Sequence, residues 1–316
     1  VMLGVAGWIG ALFLLGFVGV GFSFVMKSTA AALIVGALGC VAAYAIFRAA
    51  RDNDFALQFG LAVSLAAQAI FISGLLNGFR QETPILYLLI VLFEATLALL
   101  VPNFIHRVLT SAAAAFALSY ALNSIGMLGV TSGVVACGLA MIWLDQRRWL
   151  GSGNLWRPIG YGLVLALIQI ESMLLGLHMM LWTTAREISW WTQYGWWVGT
   201  ALVTAVLMWA VMRMLDQQGM SVSSKTGATA MAAVAVVGAL SLVAPGLATA
   251  LLILLLGFTT GNRILMGLGL FALLGFLSHY YYQLQTTLLV KSMVLAASGG
   301  ILLAARQVLR RVHRFG

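Results

Sequence analysis

Apolar runs of about 17 to 25 residues recur along the whole chain, and each is long enough as a helix to cross a hydrocarbon core of about 30 Å. The runs lack the two-residue alternation of polar and apolar residues that marks the strands of an outer-membrane barrel. Of the 316 residues, 62% are hydrophobic and 8% are charged, which leaves too little polar surface for a water-soluble domain of this size. We therefore expect an all-α fold, a polytopic membrane helix bundle.

Charges, prolines and polar clusters divide the chain into about twelve predicted transmembrane helices. They cover residues 2–25, 30–48, 56–76, 85–101, 108–124, 127–144, 158–182, 190–213, 227–243, 246–260, 263–280 and 286–304. The connections are too short for an extramembrane domain, so we expect residues 1–316 to form a single transmembrane domain. The even number of helices permits two halves, 1–144 and 158–316. The first run begins at Val1 with no charged flank, and we expect a polar segment to precede it.

Lysine and arginine residues are distributed unequally between the two sides of these predicted helices. Thirteen lie on one side, three (Lys27, Arg80 and Arg186) lie on the other, and Lys291 lies within the last helix. Loops rich in Lys and Arg remain in the cytoplasm, so we expect both chain ends to be cytoplasmic. The same distribution explains the net charge of +9 without a nucleic-acid partner.

Two glutamates lie near the middle of predicted helices, where an ionisable side chain costs about 2.5 to 3.5 kcal/mol to insert and suggests a functional site. They are Glu94 in YLLIVLFEATLALLV and Glu171 in LVLALIQIESMLLGLHMM. His178 follows Glu171 by two helical turns on the same face, and Gln169 and Ser172 add polar side chains on adjoining faces. Glu171 and its neighbours are therefore the main candidate site.

Glu171 and His178 have two interpretations. Both groups exchange protons, so together they could form a relay in a transport cycle. Alternatively, Glu171 is protonated and hydrogen-bonded to a neighbouring helix, while His178 lies near the outer interface. Glu94 has no polar companion in its own helix, which favours a structural role.

Polar residues also interrupt the last two predicted helices, in LSHYYYQLQTTLLVKS. His279 and Tyr280 are typical of a membrane interface and are secondary candidates for the site. Lys291 lies deeper, and its side chain either extends to the headgroups or pairs with Glu94 or Glu171. One lysine cannot neutralise both carboxylates.

The chain carries no sequence motif of an enzyme or a cofactor site. It has no HExxH, no GxSxG and no glycine-rich phosphate loop, and Cys40 and Cys137 lie in apolar segments without a CxxC pair. We therefore expect no metal, no cofactor and no catalytic residue. Small residues four apart, such as Gly36 and Cys40 or Gly129 and Gly133, instead predict close packing between helices.

The run from Gly257 to Arg306, and most specifically YYYQLQTTLLVKS, resembles the C-terminal signature of a domain-of-unknown-function family of bacterial inner-membrane proteins. Members of that family are often encoded beside, or fused to, a protein named for its GDYxxLxY motif. The motif is absent from this chain, which fits a separate partner. The resemblance implies a bacterial inner (cytoplasmic) membrane location and a membrane partner of the GDYxxLxY type, and it implies no activity.

Three functions are consistent with these features. The first is a transporter or permease for a small solute or ion, with Glu171, His178, Glu94 and Lys291 along its path. The second is a structural or assembly subunit that holds a GDYxxLxY-type partner. The third is a lipid-modifying membrane enzyme, which requires a lateral opening that leads to Glu171 or His178.

Overall fold

A computed structural model describes residues 27–49, 53–79, 83–145, 153–183, 190–242 and 244–283. These residues form ten α-helices, and no β-strand occurs among them. The helices are α1 (Thr29–Ala49), α2 (Asp54–Gly78), α3 (Pro84–Leu100), α4 (Phe104–Ser124), α5 (Val130–Leu144), α6 (Gly153–Thr183), α7 (Trp190–Gln217), α8 (Lys225–Ser241), α9 (Leu247–Thr259) and α10 (Arg263–Gln283).

All the helices predicted between residues 30 and 280 are present, with ends close to the predicted ones. Six of the described helices are long and apolar enough to cross a membrane, namely α1, α2, α4, α6, α7 and α10. The other four, α3, α5, α8 and α9, are apolar but have at most 17 residues. A helical, multi-pass membrane protein is thereby confirmed. The predicted helices 2–25 and 286–304 lie outside the described residues.

Hydrogen-bonding side chains start several of the helices. Asn53 and Asn103 each accept a hydrogen bond from the backbone N–H three residues later, at 3.2 and 3.0 Å. Thr83 caps α3 in the same way, and Pro84 follows it at the first turn, where its missing N–H costs nothing. These residues determine where α2, α3 and α4 begin.

The first four helices form one packed group. α1 packs antiparallel against α2, and α3 packs against α4. They bury a core that includes Phe47 of α1, Leu61 of α2 and Leu97 of α3. Burial of these side chains between helices leaves the opposite, apolar faces of the group to lipid.

The other six helices surround a larger core. It contains Trp143 of α5, Leu167 of α6 and Ile253 of α9. α4 joins this group by packing along α6, and α9 contacts α5, α6, α7, α8 and α10. One face of α6 and most of α9 are therefore enclosed by other helices.

Glycines allow the closest approaches between helices. A Cβ atom added at Gly36 would lie 2.7 Å from the Cβ of Phe71 in α2, and one added at Gly195 would lie 2.7 Å from the carbonyl oxygen of Leu128. Both distances are shorter than van der Waals contact, so only glycine fits there. The close packing predicted at Gly36 and around Gly129 is confirmed.

Gly36→Ala should destabilise the pairing of α1 with α2, because the added methyl group overlaps the backbone of Phe71 and overpacking costs about 1–3 kcal/mol. Gly138→Ala is the matched control, since its Cβ would meet Leu163 at an ordinary 3.6 Å. Thermal unfolding in detergent micelles should show a lower midpoint for Gly36→Ala only. Equal midpoints for the two variants would contradict the close approach of α1 and α2.

Candidate functional site

Glu171 lies on the buried face of α6, and only 4% of its surface is exposed. It is eighteen residues from the start of α6 and twelve from its end, which corresponds to about 27 Å and 18 Å along the helix axis. Among the described residues it forms no salt bridge. An isolated carboxylate is costly to bury, so the neighbours of Glu171 determine whether it can carry a charge.

Two hydroxyl groups from different helices face the Glu171 carboxyl group. They belong to Ser132 of α5 and Thr249 of α9, and both residues are fully buried. Oε1 of Glu171 and Oγ of Ser132 nevertheless have no hydrogen-bond partner within the described part of the chain. The Glu171 site, defined as Glu171, Ser132 and Thr249, thus contains two unpartnered buried polar atoms, which is uncommon in a folded protein.

Both hydroxyl residues stand in the first turn of a short helix. Ser132 is the third residue of α5, and Thr249 is the third residue of α9. The residues that precede these helices, Gly129 and Gly246, have φ angles of 87° and 86°, in the left-handed region that favours glycine. With 15 and 13 residues, α5 and α9 are about 22 and 20 Å long, shorter than a hydrocarbon core of about 30 Å.

The first turns of α5 and α9 bring positive charge to Glu171. The free backbone N–H groups at a helix N-terminus are equivalent to about +0.5 of an elementary charge, so two such ends offset roughly one negative charge. The hydroxyl groups of Ser132 and Thr249 add hydrogen-bonding capacity. The two helix ends and the two hydroxyl groups therefore oppose the cost of burying a charged Glu171 side chain.

A small, partly open cavity lies beside the Glu171 site, between α4, α5 and α6. Its volume of about 20 Å³ is sufficient for roughly one water molecule. Its surface is mostly apolar, with Tyr120, Asn123 and Thr131 among its polar residues, and Ile170, the residue before Glu171, forms part of its lining. The cavity thus reaches the neighbour of Glu171 but not Glu171 itself.

Gln169 faces away from Glu171, into a lateral groove between α4, α6 and α10. The groove has a volume of about 720 Å³, and its lining is apolar except for Gln169 and Ser172. A second cavity of about 230 Å³ continues it along α10 to His279, and Tyr280 is half-buried next to that end. Glu171 lines neither cavity, so Gln169 and His279 are separated from the Glu171 site.

Glu94 belongs to the other group of helices. It is 1% exposed on α3, and Cys40 of α1 lies beside it. Its Oε2 atom has no hydrogen-bond partner among the residues described. The two glutamates therefore occupy separate buried sites and do not share one cavity.

Sequence reasoning missed a third polar cluster, because the predicted helix 108–124 leaves His106 in a loop. In the structure His106 is fully buried, and its Nε2 lies 2.8 Å from Oγ of Ser64 and 3.1 Å from Nε2 of Gln68. We call Ser64, Gln68 and His106 the His106 cluster. The available signal was a pair of polar residues one turn apart, Ser64 and Gln68, on the buried side of an apolar helix.

The side chain of His178 and the whole of Lys291 lie outside the described residues. The relay between Glu171 and His178, and the pairing of Lys291 with a glutamate, stay predictions. Within the ranges that are described, no group of three His, Cys, Asp or Glu side chains is arranged to hold a metal ion.

Comparison with known proteins gives one match. A family model described as a domain of unknown function (DUF4401) matches residues 1–312. This match confirms the predicted resemblance to a family of unknown function. No curated protein and no solved structure matches the chain.

Glu171→Lys should destabilise the protein more than Glu171→Gln. Glutamine preserves the shape and polarity of the protonated side chain, whereas lysine places a positive charge against two helix N-termini, each of which interacts with a nearby charge by about 0.3–2 kcal/mol. Thermal unfolding of the two purified variants measures the difference. Similar midpoints would show that the starts of α5 and α9 do not act on this side chain.

Proposed function

We infer that this chain, which belongs to the domain-of-unknown-function family DUF4401, is a multi-pass membrane protein that carries protons across the bilayer by means of Glu171. The observation that carries this proposal is the position of the Glu171 carboxyl group at the N-termini of two helices that are too short to span the hydrocarbon core. In transporters, helix N-termini within the bundle point at negatively charged groups, and here they face a carboxyl group. An ionisable side chain at such a place favours a functional role.

Binding of one proton at Glu171 changes the charge of the site by one unit. The N-termini of α5 and α9 stabilise the carboxylate, while the apolar neighbours Leu167 and Ile170, both buried, stabilise the neutral form. Oε1, which has no partner among the described residues, is the proposed binding atom. A site in which two charge states are both stabilised can load and unload during a transport cycle.

The proposed path approaches Glu171 past Ile170, because Glu171 itself does not line the small cavity. It begins in the small cavity lined by Asn123 and Thr131. His178, two turns further along α6, is proposed to extend the path, and Lys291 is proposed as a partner of one of the two glutamates. These roles rest on the positions of the residues along the chain.

The proposal includes a topology of twelve transmembrane helices with both chain ends on the cytoplasmic side of a bacterial inner membrane. Its support is the division of Lys and Arg residues, thirteen against three, between the two sides of the predicted helices. In this orientation the small cavity and the starts of α5 and α9 lie toward the outer side. A membrane partner of the GDYxxLxY type is proposed from the family resemblance alone.

A lipid-modifying activity has less support than transport. Such an enzyme needs a lateral opening that leads to a reactive group. Glu171 lines neither the lateral groove nor its continuation toward His279. We therefore favour movement of a small ion over chemistry on a lipid.

Glu171→Gln should reduce ion movement to the rate of protein-free liposomes, because the glutamine cannot change its charge. The measurement uses proteoliposomes with an imposed pH gradient and membrane potential, and a pH-sensitive dye inside the vesicles. Parallel reactions in Na⁺, K⁺ and choline distinguish protons from small metal cations. Gln169→Ala, which changes an exposed residue of the same helix, is the matched control and should retain the wild-type rate.

Two results would overturn the proposal. One is a proton flux through the wild-type protein equal to that of protein-free liposomes. The other is an unchanged rate in Glu171→Gln, which would place the ion path elsewhere in the protein.

A further inference from the structure

The first four helices contain two buried polar atoms that the proposed function does not use. They are Oε2 of Glu94 and Nδ1 of His106, and neither has a hydrogen-bond partner in the described part of the chain. Glu94 is 1% exposed and His106 is 0% exposed. One atom belongs to a carboxyl group and the other to an imidazole, so they are complementary if they lie close enough.

The His106 cluster places the ring proton of His106 on Nδ1. Gln68 Nε2 donates a hydrogen bond to Ser64 Oγ at 3.0 Å and lies 3.1 Å from His106 Nε2. Ser64 Oγ, 2.8 Å from the same ring nitrogen, can then donate its own hydrogen to Nε2. Because an amide nitrogen is only a donor, Nε2 acts as the acceptor, and a neutral ring carries its hydrogen on Nδ1. The Nδ1–H group of His106 therefore points away from Ser64 and Gln68.

Glu94 and His106 lie at similar depths in the pair formed by α3 and α4. Glu94 is six residues before the end of α3, and Thr110 is six residues after the start of α4. Because α3 and α4 pack against each other, Glu94 and Thr110 lie at about the same height along the pair. His106 is one turn nearer the connection, about 6 Å along the axis of α4. The extended glutamate side chain shortens that separation, and one bridging water molecule can complete it.

The same face of α1 covers both groups. Cys40 lies beside Glu94, and the ring of Phe47 meets the ring of His106 edge-on, with centroids 5.7 Å apart. Cys40 and Phe47 are seven residues apart, on one face of a helix. Glu94 and His106 therefore lie against the same face of α1, beside residues that are two turns apart along it.

Glu94 and His106 have titratable or charged neighbours on other parts of the bundle. Cys40 is the titratable residue of α1 beside Glu94, and Arg107 is the charged residue next to His106. The Arg107 guanidinium donates to the carbonyl oxygens of Ala98 at 3.2 Å and Asn154 at 2.8 Å. Its positive charge also acts on His106 and disfavours a doubly protonated ring, so the added proton is placed on Glu94.

We propose that Glu94 and His106 form a carboxyl–imidazole pair that binds one proton between the first four helices, at a site separate from Glu171. In the unprotonated pair, Nδ1–H donates to a bridging water molecule that donates in turn to the Glu94 carboxylate, and the pair carries one negative charge. When a proton binds to Nε2 from the Ser64 side, the Nδ1–H bond breaks and an O–H bond forms on Oε2. The pair is then neutral, with the ring hydrogen on Nε2, and Ser64 and Gln68 are positioning residues for the ring.

Infrared difference spectroscopy of the full-length chain in lipid tests this pair through the carbonyl stretch of protonated Glu94. The band is assigned by its loss in Glu94→Gln and by its retention in Glu171→Gln. His106→Gln should change the frequency of the band and move its half-titration by about tenfold or more in proton concentration. Ser64→Ala should move the half-titration in the same measurement, because Nε2 loses the nearer of its two hydrogen-bonding partners, although the fold keeps all its apolar contacts.

Unchanged frequency and half-titration of the Glu94 band in both His106→Gln and Ser64→Ala would overturn the pairing. If His106→Gln does not fold, the frequency and half-titration of the Glu94 band in Ser64→Ala test the pairing on their own. The spectrum reports protonation of Glu94 whether or not the protein moves ions. A negative transport assay would therefore leave the infrared result intact. A negative infrared result would likewise leave the transport assay intact.

Discussion

Inside a bilayer every backbone N–H and C=O group needs a partner from the protein, because the hydrocarbon offers none. Helices meet that demand along their length but leave the first N–H groups free at each start. In most helices of this protein, side chains such as those of Asn53, Thr83 and Asn103 take up these donors. α5 and α9 begin after glycines without a side-chain cap, and the side chains of their third residues face the carboxyl group of Glu171. The starts of these two short helices thus form the surroundings of the buried carboxyl group.

The depth at which α5 begins depends on how closely the helices pack. Gly129, before α5, lies directly against Gly195 and Gly199 of α7, with no space for a side chain on any of the three. Apolar surface by itself drives no association between helices in lipid, so this kind of close backbone contact has to hold them together. The geometry around Glu171 is therefore a consequence of packing between glycines that make no contact with the carboxyl group itself.

The two buried glutamates, Glu171 and Glu94, have different surroundings. Glu171 meets two helix N-termini and the hydroxyl groups of Ser132 and Thr249, whereas Glu94 lies beside Cys40 and at the level of the His106 cluster. The sites belong to different groups of helices. The Glu171 site and the surroundings of Glu94 are thus formed by different sets of helices.

Much of the fold was determined by the sequence alone. Helix positions, the membrane class and the burial of Glu94 and Glu171 follow from local hydropathy and from the length needed to cross a bilayer, which neighbouring residues establish without reference to the rest of the chain. The companions of each glutamate were decided only by the tertiary structure. Spacing along α6 suggested Gln169, which instead faces the lateral groove, while Ser132 and Thr249 come from α5 and α9. Helical periodicity tells which residues share a face, but only the packing of the bundle determines which helix covers that face.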